Sequence, residues 1–262
     1  MNSIFTINNV DYDVSVVSLQ REASILSGDN AGKLRNGNVI RDVTGTIYNY
    51  TLEIGQKLEN VAAYDALYEV LTAPVESYPI NVPFGQGQLE FDAYIKNVSD
   101  NISHIGGKNI WDKLMFSVNS IEPQRYCGEN WTLGVGTGNQ IFTIDGVGFD
   151  CSVDKLERRG QVLETNNSGR SKSGVMNREI IGTYYNYSMQ IEQEDIEQYD
   201  RLYYALTAPV DSHVLTIPYG QGTLTFNAYV TQARDNLTFI NSDIKKWSGL
   251  EIEFMAMAPA RR

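Results

Sequence analysis

The strongest constraint on this chain is that its sequence is written twice. Ile4-Phe5-Thr6-Ile7 returns as Ile141-Phe142-Thr143-Ile144, and the offset of 137 holds without a gap from Ile4/Ile141 to Tyr50/Tyr187. About 20 of these 47 positions are identical, among them Asp13/Asp150, Leu19/Leu156, Arg21/Arg158, Gly32/Gly169, Gly37/Gly174 and Arg41/Arg178. At an offset of 135, Tyr64-Asp65 matches Tyr199-Asp200, and Leu71-Thr72-Ala73-Pro74-Val75 matches Leu206-Thr207-Ala208-Pro209-Val210. Pro83-Phe84-Gly85-Gln86-Gly87 likewise matches Pro218-Tyr219-Gly220-Gln221-Gly222. Trp111 and Pro123 match Trp247 and Pro259 at an offset of 136. Ordered matches over so long a stretch read as a tandem duplication of a whole domain, since solenoid repeats run to only about 20–50 residues. The expected domains are residues 1–125 and 140–262, joined by a Gly-rich linker at 126–139.

A chain of 262 residues has room for two such domains, each with its own core. No stretch approaches the ~20 consecutive apolar residues of a membrane span. Met1–Tyr12 carries no basic region followed by an apolar run, so no secretory leader is expected there. The net charge of −11 argues against a surface that grips nucleic acid through its phosphates, which needs clustered Lys and Arg. The acid surplus is spread over both repeats. Cys127 and Cys151 are the only cysteines, and His104 and His213 the only histidines. Two thiols read as reduced side chains rather than a disulfide framework. No Cys/His pair has ligand spacing, so no metal site is expected; no cofactor is expected either.

Local patterns give the elements of one repeat. Ile4–Ile7 and Tyr12–Val17 read as a hairpin around Asn8-Asn9, with Asp145-Gly146 as the equivalent turn in the second repeat. The polar, glycine-bearing stretches Arg21–Asp42 and Arg158–Glu179 are too long for plain connections, and read as long loops or two-stranded arms projecting from the body. Val43–Ile54 and Ile180–Ile191 are rich in β-formers. Val61, Tyr64, Leu67, Tyr68 and Leu71, with Ile196, Tyr199, Leu202, Tyr203 and Leu206, have the three-and-four spacing of a helix with one buried stripe. The acidic run Glu192–Glu197 suits the start of the second helix, and Ala-Pro closes both. Pro79–Phe84 and Gln88–Val98 flank Gly85-Gln86-Gly87 as a hairpin, and Trp111–Ile121 is a last strand. The fold class is therefore mainly β with one helix per unit: two tandem small sandwiches or barrels, each with a long arm loop.

Catalytic chemistry finds little support, and the chain reads as no enzyme. Gly28-Asp29-Asn30-Ala31-Gly32-Lys33 imitates a phosphate loop, but it is one residue short between the glycines and has Leu34 where Ser or Thr is needed. His213 stands where the first repeat has Tyr78, and His104 where the second has Phe239, so both read as packing or surface. Asp13/Asp150 and Asp65/Asp200 recur; a glycosidase-like carboxylate pair stays open by residue type, but Asp65 and Asp200 each follow a Tyr inside a helix and read as a hydrogen bond or salt bridge. Tyr48-Asn49-Tyr50 and Tyr185-Asn186-Tyr187 fit strand packing or an interface better than ligand stacking. Arg21/Arg158 and Arg41/Arg178 flank the arms. They read either as ion pairs within one unit or as partners for acids on a neighbouring subunit.

The order hairpin, arm, strands, helix ending in Ala-Pro, hairpin and final strand resembles the tail-tube fold of bacteriophages. Tyr64-Asp65-x-Leu67-Tyr68 with Leu71-Thr72-Ala73-Pro74, Pro83-Phe84-Gly85-Gln86-Gly87, and their second-repeat partners carry the resemblance over residues 1–125 and 139–262. The resemblance implies a structural virion protein of a phage tail, made in the bacterial cytoplasm: tail tube, tube-end adaptor or hub component. It implies six-membered rings around a DNA channel, so a duplicated chain would close as a pseudo-sixfold homotrimer, and rings would stack. Its partners would be itself, other tail proteins, and DNA passing without sequence-specific binding. The arm and oligomer contacts would then fall on Arg21, Asp29, Arg35, Arg41, Arg158, Arg170, Lys172 and Arg178. A tandem carbohydrate-binding β-sandwich module is the competing reading.

Overall fold

The computed structural model describes residues 4–107, 109–128, 141–192, 195–241 and 244–262. Most of the expected linker, and part of the acidic run before the second helix, lie outside the described residues. The described residues are mainly β, with antiparallel sheets and two helices. The first repeat contains β1 (Thr6–Ile7), β2 (Val10–Asp11), β3 (Ser15–Ser27), β4 (Gly32–Lys33), β5 (Val39–Ile40), β6 (Val43–Gly55), α1 (Val61–Leu71), β7 (Tyr78–Phe84), β8 (Gly87–His104) and β9 (Ile110–Ser120). After β10 (Arg125–Tyr126), the second contains β11 (Thr143–Ile144), β12 (Val147–Gly148), β13 (Ser152–Glu164), β14 (Gly169–Arg170), β15 (Met176–Asn177), β16 (Ile180–Glu192), α2 (Ile196–Leu206), β17 (His213–Tyr219), β18 (Gly222–Ile240) and β19 (Lys245–Ala256).

Two compact units form. Unit 1 takes Met1–Ser24, Ile47–Gln124 and Arg234–Gly249; unit 2 takes Ile25–Thr46, Arg125–Ala233 and Leu250–Arg262. Repeats and compact units therefore do not share boundaries, and each unit contains residues from both repeats. The sheet path in unit 1 runs β2-β1-β7-β8-β9-β6-β3. In unit 2 it runs β12-β11-β17-β18-β19-β16-β13, through the corresponding elements.

The first turn is set by backbone conformation. Asn8 and Asn9 both have positive φ, as do Asp145 and Gly146, which is what a two-residue I′ hairpin turn demands of each position. The helices bury one stripe each: Tyr64, Leu67 and Leu71 in α1, and Tyr199, Leu202, Tyr203, Ala205 and Leu206 in α2. In α2 the Asp195 carboxylate accepts the Gln198 N–H at 2.8 Å, whereas Asn60 makes no side-chain cap on α1. Asp195→Ala is expected to cost unit 2 about 1 kcal/mol, read as a fall in urea midpoint at unchanged m-value. The tyrosine-rich strands carry core. Tyr48 and Tyr50 in unit 1 and Tyr187 in unit 2 are buried. The asparagines between the tyrosines make matching bonds: Asn49 Oδ1 accepts Ser120 N–H, and Asn186 Oδ1 accepts Ala256 N–H, each at 3.0 Å. A buried strand end gains a satisfied donor from that side chain. No helix among the described residues is long and apolar enough to cross a membrane.

The arms are shorter than their composition suggests. β3 continues through Arg21 to Ser27, and only β4 and β5 form a separate two-stranded tip, by pairing Gly32 with Ile40 and Lys33 with Val39. The reason lies in period-two burial: Leu19, Arg21, Ala23 and Ile25 all face inward, so an arginine sits in an apolar row.

Candidate functional site

Arg21 carries the most unusual chemistry in unit 1. Its side chain is 1% exposed and Asp235 is 0% exposed. Arg21 Nε donates to Asp235 Oδ1 at 3.0 Å and Nη2 to Oδ2 at 2.6 Å, the bidentate geometry that makes such pairs strong. The guanidinium lies 3.9 Å from the Trp247 ring centroid and 5.1 Å from that of Phe84. A cation desolvated between aromatic faces gains from both ring quadrupoles. Trp247 Nε1 donates to the Gly85 carbonyl at 3.2 Å. The Gly85-Gln86-Gly87 turn then fastens β19: Gln86 Nε2 donates to Lys245 O at 2.8 Å, Lys245 N–H to Gln86 Oε1 at 2.9 Å, and Lys245 Nζ to Gln86 O at 2.6 Å. Positive φ at Gly85 suits the turn to glycine. At the rim, Arg234 donates to Glu22 from both Nε and Nη2, and Gln20 to Asn236. The segment Arg234–Gly249 thus seats against β3, which has β18 as its second neighbour.

Unit 2 holds the first arm in the same thorough manner. Val39 N–H donates to Met257 O at 2.7 Å, beside a shallow cavity lined by Asn38, Val39, 224–227 and 257–260. The Tyr184 hydroxyl donates to the Gly37 carbonyl. Arg41 is buried, with Nη2 at 3.2 Å from Ser27 Oγ and its guanidinium 4.7 Å from the Tyr229 ring centroid. Burial lowers the Arg41 pKa from its ordinary value, and Tyr229 and Asp211 work against that. Thr46 Oγ1 donates to Thr207 O at 2.8 Å, and Arg125 Nη1 donates to Tyr204 O at 2.7 Å.

The remaining arm residues lie in the open. Asp29 and Arg35 are exposed on the first arm. On the second, Arg170 donates to Gly174 O, Lys172 is exposed, and Arg178 pairs with Glu164 inside its own arm. That pairing holds the Glu164 carboxyl below its ordinary pKa. Arg158 is exposed with its guanidinium 4.5 Å from the Tyr219 ring centroid. The expected kinship of Arg21 with Arg158 and of Arg41 with Arg178 therefore joins a buried member to an exposed one each time.

The other sequence candidates sort simply. His213 is buried and meets Asp145 at 2.7 Å, and His104 is exposed. Burial works to raise the Asp145 pKa, but the bonds from His213 and the Val214 N–H outweigh it and hold that carboxyl below its ordinary range. Asp13 pairs with Lys57. Gly28 N–H donates to Asp42 O, closing the base of the arm rather than a phosphate cradle. Cys127 is exposed and Cys151 half-buried, and no disulfide joins them.

Sequence reasoning missed Asp235, the counter-ion of Arg21. A signal existed: Asp100-Asn101 and Asp235-Asn236 match at the offset of 135 that also relates the Gly-Gln-Gly turns. No protein-family model matches the chain, and no curated protein matches it.

Proposed function

We propose that this protein is a structural, self-assembling component, a tandem duplication that builds a ring from copies of itself in the manner of phage tail-tube-fold proteins. One observation carries the reading. The fastening groups of the first repeat, Arg21, the Gly85-Gln86-Gly87 turn and the arm around Val39 and Arg41, are seated on residues of the second repeat. The same groups of the second repeat stand exposed: Arg158, Gly220-Gln221-Gly222 and the whole of residues 171–180. A contact used once inside the chain and offered once outside is head-to-tail by construction, and head-to-tail contacts close into rings or extend into filaments.

A trimer of duplicated chains gives the pseudo-sixfold ring that the resemblance implies. The charge of −11 suits a wall that passes DNA without holding its phosphates. The carbohydrate reading keeps only one of its four strand tyrosines: Tyr48, Tyr50 and Tyr187 are each about 1% exposed and offer no face to a sugar, while the half-buried Tyr185 packs edge-on against Tyr219. Electron microscopy of the purified protein is the test: annular particles with six similar lobes are expected. Compact single-chain particles that bind immobilised glycans would overturn the reading.

A further inference from the structure

Unit 1 carries, only partly covered, the sequence counterpart of the surface that the second repeat provides for the first. In unit 1, Asp100 and Trp111 stand where the second repeat has Asp235 and Trp247, and both are only half-buried. A cavity of unit 1 is lined by 89–92 and 121–124. Shifted by 135 and 136 positions these are 224–227 and 257–260, the lining of the cavity that takes Val39. One backbone bond is common to the two cavities: Ile121 N–H donates to Asp92 O at 3.1 Å, and Met257 N–H to Asn227 O at 2.9 Å. Ile121 is 46% exposed.

Unit 2 displays the complementary half. Arg158 has the Tyr219 ring where Arg21 has Phe84, but among the described residues no tryptophan lies over its other face. Met176, at the Val39 position, is 45% exposed, and its arm neighbours Val175 and Ile180 are also exposed. β13 has β16 as its one strand neighbour among the described residues, whereas β3 has both β6 and β18. A 13-residue strand with an open edge is a template for a further strand.

We propose that unit 2 of one chain docks on unit 1 of a second copy of this chain, with Arg158 seated against Asp100 and Trp111 and the Met176 strand laid beside Ile121. This rests on the self-assembly reading and names its contact. The end of the neighbour's β8 joins the open edge of β13. Arg158 completes its cage between its own Tyr219 and the neighbour's Trp111, whose indole N–H reaches the Gly220 carbonyl. The second Gly-Gln-Gly turn clasps the strand at Asn109 as Gln86 clasps Lys245, and the Met176 N–H meets the Ile121 carbonyl. The repeat of the contact is not complete. Arg234–Glu22 has no counterpart, because the matching residues are Ser99 and Arg159, so the internal contact carries an ion pair that the external one lacks.

The test uses two full-length variants that each damage one face. Arg158→Glu sets a like charge against Asp100, and Ile121→Glu places a carboxylate in the arm seat. Both positions are exposed, so each variant is expected to keep the wild-type circular dichroism spectrum. By light scattering, each alone should run at the single-chain mass of 29.4 kDa. A one-to-one mixture should give a dimer and stop there, since one intact contact remains per pair. Variants that assemble as wild type does would overturn the contact and leave the self-assembly reading standing. So would a mixture that stays at single-chain mass. A wild-type chain that is itself a monomer would overturn both.

Discussion

Arg21→Ala is expected to cost roughly 3–5 kcal/mol, because it leaves the Asp235 carboxylate buried without its cation. For a chain of this size that is a fall of roughly 6–20 °C in Tm. Arg158→Ala, at the matching position, should change the stability of dilute, dissociated chains by less than about 1 kcal/mol, since an exposed arginine near a ring contributes little. The contrast separates burial from residue type. Replacing both partners, as Arg21→Met with Asp235→Leu, should recover most of the loss, because the desolvation cost of both ions is then absent. Urea unfolding of the four proteins measures this directly. A loss below 1 kcal/mol for Arg21→Ala would mean that water reaches the pair and that the cage is not closed.

Trp247→Ala is expected to be as severe, at roughly 3–5 kcal/mol. Trp247 is fully buried. It faces the Arg21 guanidinium on one side and holds Gly85 through its indole N–H. Removing it opens a cavity beside a buried charge. Trp247→Phe keeps a ring under the guanidinium but leaves the Gly85 carbonyl without that donor, so about 1–3 kcal/mol is expected. Trp111→Ala should cost dilute chains far less, because Trp111 is half-exposed there. Differential scanning calorimetry orders the three variants. Equal losses at Trp247 and Trp111 would remove the distinction between an occupied and an open seat.

Much of the fold is legible in the sequence, and for identifiable reasons. The Asn8-Asn9 and Asp145-Gly146 turns announce themselves because few residues accept positive φ. The helices follow from the spacing of Tyr64, Leu67 and Leu71 and of Tyr199, Leu202 and Leu206. Arg21 is misread as the base of a surface arm because its charge masks the alternation of Leu19, Ala23 and Ile25. Its burial depends on Asp235, 214 residues away. The exchange between repeats is invisible for a deeper reason. Two nearly equal repeats offer Arg21 either Asp100 or Asp235, and local sequence does not distinguish them. Only the path of the chain decides, and it seats Arg21 on Asp235. The Gly85-Gln86-Gly87 motif shows the same limit. It reads as a hairpin turn, which it is, while its hold on β19 appears only once that strand is in place.

The mass of the wild-type protein in solution tests the central claim most directly. Sedimentation velocity over a range of concentrations should show a closed species at three times the 29.4 kDa chain mass, with no dimer accumulating, as a ring of identical head-to-tail contacts requires. A single species at 29.4 kDa throughout that range would contradict it.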